Sequence, residues 1–237
     1  MSILLSASII HAKTLTELLS MERYKLNDVT TASNNPKWTD AELTTRNNDI
    51  QRQISRYARC IYVSSITTPV AETREYAKPP KCIVIDRVSY LQTTSTTSYK
   101  KLEPITMGGL DVKFPTWEYN TSGRPLYYYE RNDSIGFDRP VSAAYVSTSA
   151  IKVDYYKYTT DMTVGTDYPF DNITNLVDIY SDLIILGVVA SCKEDEGKIA
   201  ESQAIMAQYI AGINSMIDTL NSKPDQNVQH IEWGGKK

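Results

Sequence analysis

The chain has 237 residues, a net charge of −3, 41% hydrophobic and 22% charged residues, which is ordinary for a globular protein long enough to bury a sizeable core. The mildly acidic balance argues against a protein that grips DNA or RNA, since that needs a concentrated Lys/Arg surface. No apolar run reaches the roughly 18 residues of a membrane span, and Leu183 to Ala190 is the longest candidate.

The first stretch, with no basic residue ahead of its short apolar run, is a poor signal peptide. Thr14 and Glu17 form a capping box ahead of Leu18 and Leu19, predicting a short helix that ends near Asn27. A loop rich in Thr, Asn and Pro runs through Trp38. Thr39 and Glu42 then form a second box that opens a longer helix. Its apolar positions Leu43, Ile50, Ile54, Tyr57 and Ile61 share one face, and Asn48, Arg52, Arg56 and Arg59 take the opposite one.

From Thr67 the character changes, with Pro69, Pro79 and Pro80 as punctuation. Cys82 to Leu91 has strand composition, and Gln92 to Ser98, nearly all Thr and Ser, reads as a turn or a solvated strand edge. Leu102 to Met107 leads to a predicted turn at Gly108-Gly109, which lacks the Lys and Ser/Thr of a phosphate loop. Leu126 to Arg131, Ile135 to Asp138 and Ala150 to Tyr158 read as three more strands, with turns at Asn132-Asp133 and Asp138 to Pro140.

After Tyr168-Pro169 the helical signal returns. Ile173, Leu176, Val177, Tyr180, Leu183, Ile184 and Val188 make a broad apolar face between Asn172 and Ala190, as expected of a helix buried on most sides. Charge and glycine from Lys193 to Gly197 break it. A last helix runs from about Lys198 to Asn221, and Pro224 stops it. The remaining tail is polar but holds Ile231 and Trp233.

No chemistry-bearing constellation accompanies these elements. The two histidines, His11 and His230, lie near the ends, so neither a Ser/His/Asp nor a Cys/His engine is evident. Cys60, Cys82 and Cys192 are odd in number and form no C-x-x-C, which argues for a reducing compartment and against a disulfide framework or metal site. The densest carboxylate cluster, Glu194, Asp195 and Glu196, reads as a solvated helix start before it reads as a metal or acid–base site. No catalytic, cofactor or metal residue is therefore assigned.

The distinctive feature is tyrosine. Nine of the 17 tyrosines fall between Tyr119 and Tyr168. A residue with an apolar body and a polar tip suits half-buried strands and sticky surfaces. In the run Tyr127-Tyr128-Tyr129, period 2 puts Tyr127 and Tyr129 on one face and Tyr128 on the other. One face is expected to close the core and the other to meet a neighbouring subunit or a tail protein. Stacking on sugars or bases is the lesser alternative.

Several segments, in order, resemble the head–tail adaptor (head-completion, or tail tubular) proteins of tailed bacteriophages. They are Trp38-Thr-Asp-Ala-Glu-Leu43 leading into Asn47 to Ile54, Gly123-Arg-Pro-Leu-Tyr-Tyr-Tyr129, Phe137-Asp-Arg-Pro140, Val153-Asp-Tyr-Tyr-Lys157, and Tyr168-Pro169 before Val177 to Leu183 and Gly187 to Cys192. Ser142 stands where the family has a second proline. The resemblance implies an α+β fold. An antiparallel helical bundle (residues 1–66 and 169–221) receives a small antiparallel β-sheet domain (67–168), and an extended tail (222–237) follows. It also implies a virion protein of the head–tail junction, assembled in the host bacterial cytoplasm, non-enzymatic, without cofactor or membrane association. Its copies, roughly twelve to a ring, would bind the portal and tail nozzle or tube proteins, and genomic DNA would pass through the lumen without specific binding. His230, Ile231 and Trp233 are the expected portal anchors, because apolar side chains in a polar tail suit docking pockets. A carbohydrate-binding module of a tail or baseplate is the alternative function.

Overall fold

A computed structural model describes residues 13–28, 36–91, 98–146 and 150–221. The chain divides into two compact units, one of Met1–Ile61 with Tyr158–Lys237 and one of Tyr62–Lys157. The fold is α+β. The first unit carries helices α1 (Leu15–Leu26), α2 (Asp40–Ala58), α4 (Thr174–Asp195) and α5 (Ile199–Asn221); the short α3 (Met107–Lys113) lies in the second.

Both capping boxes form. The Thr14 N–H donates to Glu17 Oε2 at 2.7 Å, and the Thr39 N–H to Glu42 Oε2 at 2.8 Å. Each threonine hydroxyl in turn accepts from the backbone N–H of its glutamate, so two of the donors that a helix start leaves unpaired are satisfied at each end. Asn27 (φ 56°) and Arg59 (φ 45°) end α1 and α2 in the left-handed region.

Helix α4 is the hub, packed against α1, α2 and α5. Leu176, Val177, Ile184, Ile185, Val188, Val189 and Cys192 are all buried, each aliphatic one contributing about 1.5–3 kcal/mol relative to exposure. Backbones approach closely at two glycines. A Cβ on Gly187 would lie 2.8 Å from Ile50 of α2, and one on Gly212 of α5 would lie 2.2 Å from Leu183. The turn from α4 to α5 passes through Gly197 at φ 74°, and so short a link makes the two helices antiparallel neighbours.

Helix α2 departs from the single apolar face expected of it. Leu43, Ile50 and Ile54 are buried, but Tyr57 is 40% exposed and the helix ends at Ala58, before Ile61. Asn48, expected opposite the core, is buried with Asn47, Gln51 and Ser55. Their partners explain it. The Asn48 amide donates to the carbonyl of Met162 at 3.0 Å and accepts from its N–H at 2.8 Å. Gln51 donates to the carbonyl of Thr160 at 3.0 Å and accepts from the Phe170 N–H at 3.3 Å. A polar stripe thus supplies the backbone pairing that the irregular segment before α4 cannot supply for itself. Phe170, Asp171 and Asn172, all at positive φ, shape the end of that segment.

The second unit holds two four-stranded sheets. In one, β1 (Tyr62–Thr67), β8 (Ile151–Lys157), β3 (Cys82–Leu91) and β4 (Tyr99–Lys101) lie side by side, all antiparallel. In the other the order is β2 (Glu75–Ala77), β7 (Ser134–Phe137), β6 (Tyr127–Arg131) and β5 (Glu103–Pro104), with β5 parallel to β6. Val88, Tyr90, Leu102, Tyr128, Phe137, Ile151 and Val153 belong to the core of this unit. The expected turn at Gly108-Gly109 is instead the first turn of α3: Thr106 caps it, its hydroxyl accepting from the Gly109 N–H at 3.0 Å. The cap and the buried Leu110 hold that helix against the weak propensity of two glycines.

Candidate interaction surfaces

The three consecutive tyrosines of β6 serve two different packing layers. Tyr128 points into the core cluster of the unit and is 5% exposed. Tyr129, 2% exposed, points the other way, into a second cluster with Leu110 and Trp117. Its ring meets Trp117 edge-to-face with centroids 5.5 Å apart, and its hydroxyl donates to Glu75 Oε1 at 2.9 Å. The hydroxyl is held above the ordinary phenol range, first by burial and then by the Glu75 carboxylate. The ring lies across Gly136, its partner on β7, where an added Cβ would sit 2.1 Å from the Tyr129 ring. Only glycine leaves room for it.

Tyr127 is the half-buried member of the run. It packs on Phe114 at 5.6 Å, and Lys113 Nζ lies 4.3 Å over its ring and donates to its hydroxyl at 2.7 Å. Asp138 fixes the start of this strand by accepting from the N–H groups of Leu126 (2.9 Å) and Tyr127 (3.1 Å), while Arg139 Nε donates to its other oxygen at 2.9 Å. The same stretch of chain carries exposed apolar side chains: Val112 and Tyr119 are each 85% exposed and Leu126 46%. The Trp117 indole that anchors this layer donates to Asp111 at 2.7 Å, and Arg74 lies 5.0 Å over its ring. Tyr128 and Tyr129 are therefore committed inside the subunit, and a platform of three stacked rings for a sugar or a base does not form.

A buried carboxylate that sequence reasoning passed over organises the other sheet. Asp154 of β8 accepts from the Ser64 hydroxyl, from Arg87 Nε at 3.0 Å, and pairs with Lys152 at 3.4 Å. Burial pushes its carboxyl up, and the hydrogen bonds from Ser64 and Arg87 with the Lys152 charge outweigh that, leaving it below the usual range. The signal was the acidic residue set between Val153 and Tyr155 in the middle of a strand.

In the helical unit, Glu194, Asp195 and Glu196 sit at the end of α4, not at a helix start. Asp195 pairs with Arg46, which lies 4.6 Å over the Trp38 ring, and Glu196 pairs with Lys198 at 2.7 Å and Lys37 at 3.4 Å. Lys198 holds Glu196 below the ordinary carboxylate range. These pairs tie α4 to the start of α2 and of α5. Among the described residues no group of three or more His, Cys, Asp or Glu is placed to hold a metal ion, and no helix is long and apolar enough to cross a membrane. His11, His230, Ile231 and Trp233 lie outside the described residues.

No curated protein matches the chain. The family model described as SU10 adaptor protein matches residues 13–230, spanning both units. By that match the chain belongs to the SU10 adaptor protein family, the phage head–tail adaptors, whose role is structural.

Proposed function

We propose that this adaptor acts as a connector ring. Roughly twelve copies close a circle through heterologous contacts, bind beneath the portal, extend the DNA channel and offer a docking surface to tail nozzle or tube proteins. The family match over residues 13–230 carries the reading. Two features support it. The net charge of −3 suits a lumen that passes DNA without gripping phosphate. The apolar side chains exposed at Val112, Tyr119 and Leu126, in the same stretch of chain as Tyr127, are what a contact with a neighbouring subunit or tail protein needs. In this reading Tyr127 makes the contact, and Tyr128 and Tyr129 hold it rigid from behind. His230, Ile231 and Trp233 anchor the ring to the portal. Assembly takes place in the host cytoplasm and the finished ring resides in the virion.

The anchor is tested by co-sedimentation of portal assemblies with the full chain and with its Ile231→Ala/Trp233→Ala variant. A loss of at least about tenfold in affinity is expected, the scale of one anchor residue of some 1.4 kcal/mol or more. Equal affinity for both chains removes the anchor from the proposal.

A further inference from the structure

A cavity of about 180 Å³ lies between the two sheets of the second unit. It is lined by Ile135 and Phe137 of β7 and by Ile151 and Val153 of β8, all part of the apolar core. Thr67, Ala77 and Pro80 line it too and are exposed. The cavity therefore opens to solvent beside β1 and β2, which are edge strands of their sheets. Two hydroxyls belong to its wall. Ser65 and Thr67 of β1 line it, and neither hydroxyl has a hydrogen-bond partner among the described residues. An apolar cavity of about 150 Å³ takes up a benzene ring, so this one has room for one aromatic ring. The hydroxyls ask for a polar tip on that ring, and tyrosine has that form.

The two most exposed tyrosines among the described residues are Tyr119 at 85% and Tyr24 at 80%. Charge separates them. Lys78 lines the cavity, and Lys81, next after Pro80, is exposed and has no ion pair among the described residues. Tyr24 stands between Arg23 and Lys25, of the same sign as these lysines. Tyr119 follows Glu118, an exposed carboxylate with no ion pair among the described residues. At its exposure Tyr119 does not fill the cavity of its own subunit, which leaves the cavity of another copy.

We infer that Tyr119 of one copy inserts its ring into this cavity of the next, with Glu118 set against Lys81. The inference rests on the connector-ring reading and supplies it with a contact. Knob and socket share no residue, so the contact is heterologous. Each copy gives its tyrosine to one neighbour and receives one from the other, and contacts of this kind close a ring or run on as a filament. Tyrosine is among the residues that carry most of the binding energy when a pocket desolvates them.

Phage particles assembled with Tyr119→p-benzoylphenylalanine test this, since the photoreactive ring replaces the tyrosine at an exposed position. Irradiation should join two copies of the chain. Peptide mapping should place the bond within residues 65–80 or 135–153 of the second copy, the stretches that line the cavity. A bond to another protein, a bond elsewhere on the chain, or no bond overturns the inference. If the larger ring keeps particles from forming, unmodified particles give the reading. A zero-length carbodiimide should couple Glu118 of one copy to Lys81 of another, and failure to find that link between copies overturns the inference. Imaging of the same particles reads the ring separately. A ring whose copies do not join at this site overturns the contact and leaves the ring standing. Particles with no ring remove the reading on which the contact rests.

Discussion

Glu22 is a carboxyl buried within the helical unit at 0% exposure. Burial raises it from 4.5 to about 8, against the opposing pull of the Asn47 hydrogen bond and the Arg23 charge. Asn47 Nδ2 donates to Glu22 Oε2 at 2.9 Å, while Glu22 Oε1 and Asn47 Oδ1 are buried without partners. A proton on the carboxyl removes a buried charge that the Asn47 hydrogen bond and the Arg23 charge only partly offset. The folded chain therefore holds this proton more tightly than the unfolded chain, and the linked stability is fully present below about pH 4.5 and is lost as pH rises toward 8. At about 1.4 kcal/mol for each tenfold change, the ceiling on that loss is about 5 kcal/mol. The neighbouring Cys192 thiol, raised to about 11 chiefly by burial, stays protonated throughout. Glu22→Gln mimics the protonated acid, being uncharged and close to it in size while keeping an oxygen that can accept from Asn47. Urea unfolding followed by helical circular dichroism from pH 4.5 to 8.5 should show the two proteins nearly equal at the acid end. The variant should be ahead by several kcal/mol at pH 8. A constant offset across the range, or a variant less stable at pH 8, refutes the reasoning.

Three other substitutions probe the remaining layers. Gly136→Ala sets a methyl against the Tyr129 ring and should cost about 2–4 kcal/mol; near-ultraviolet circular dichroism should lose part of the aromatic signal from the Trp117 layer, and an unchanged spectrum contradicts the packing. Asp154→Ala strips Ser64, Arg87 and Lys152 of their shared acceptor, for a loss of about 2–4 kcal/mol in thermal unfolding. Because its carboxyl is depressed, the wild type's advantage over this variant should shrink as pH falls through the acid range. Thr39→Ala removes the cap of α2 and should lower stability by about 0.5–2 kcal/mol, with Thr39→Ser recovering most of it.

What could be read from the chain was what short-range spacing encodes. Both capping boxes are four-residue patterns, and each opened its helix where expected. Cys82–Leu91 and the strand of the three tyrosines carry enough β-branched and aromatic residues to declare themselves. The polar stripe of α2 was opaque because Asn48 and Gln51 bond to residues more than a hundred positions away, and an asparagine facing water looks the same in sequence. The α3 helix was opaque because two glycines outweighed the Thr106 cap on any propensity scale. Period 2 sorted the faces of Tyr127, Tyr128 and Tyr129 but could not show that α3 and Trp117 cover the second face. The adaptor resemblance rested on order and spacing of weak segments from Trp38 onward, and the family match, over residues 13–230, contains them all.

The central claim is a ring at the head–tail junction. Electron cryomicroscopy of intact particles, with rotational symmetry determined from the data, tests it most directly. The account predicts a closed ring of this chain directly below the portal, with the 107–127 stretch against a neighbouring subunit or a tail protein. Density for this chain elsewhere in the particle, or as isolated copies that close no ring, contradicts it.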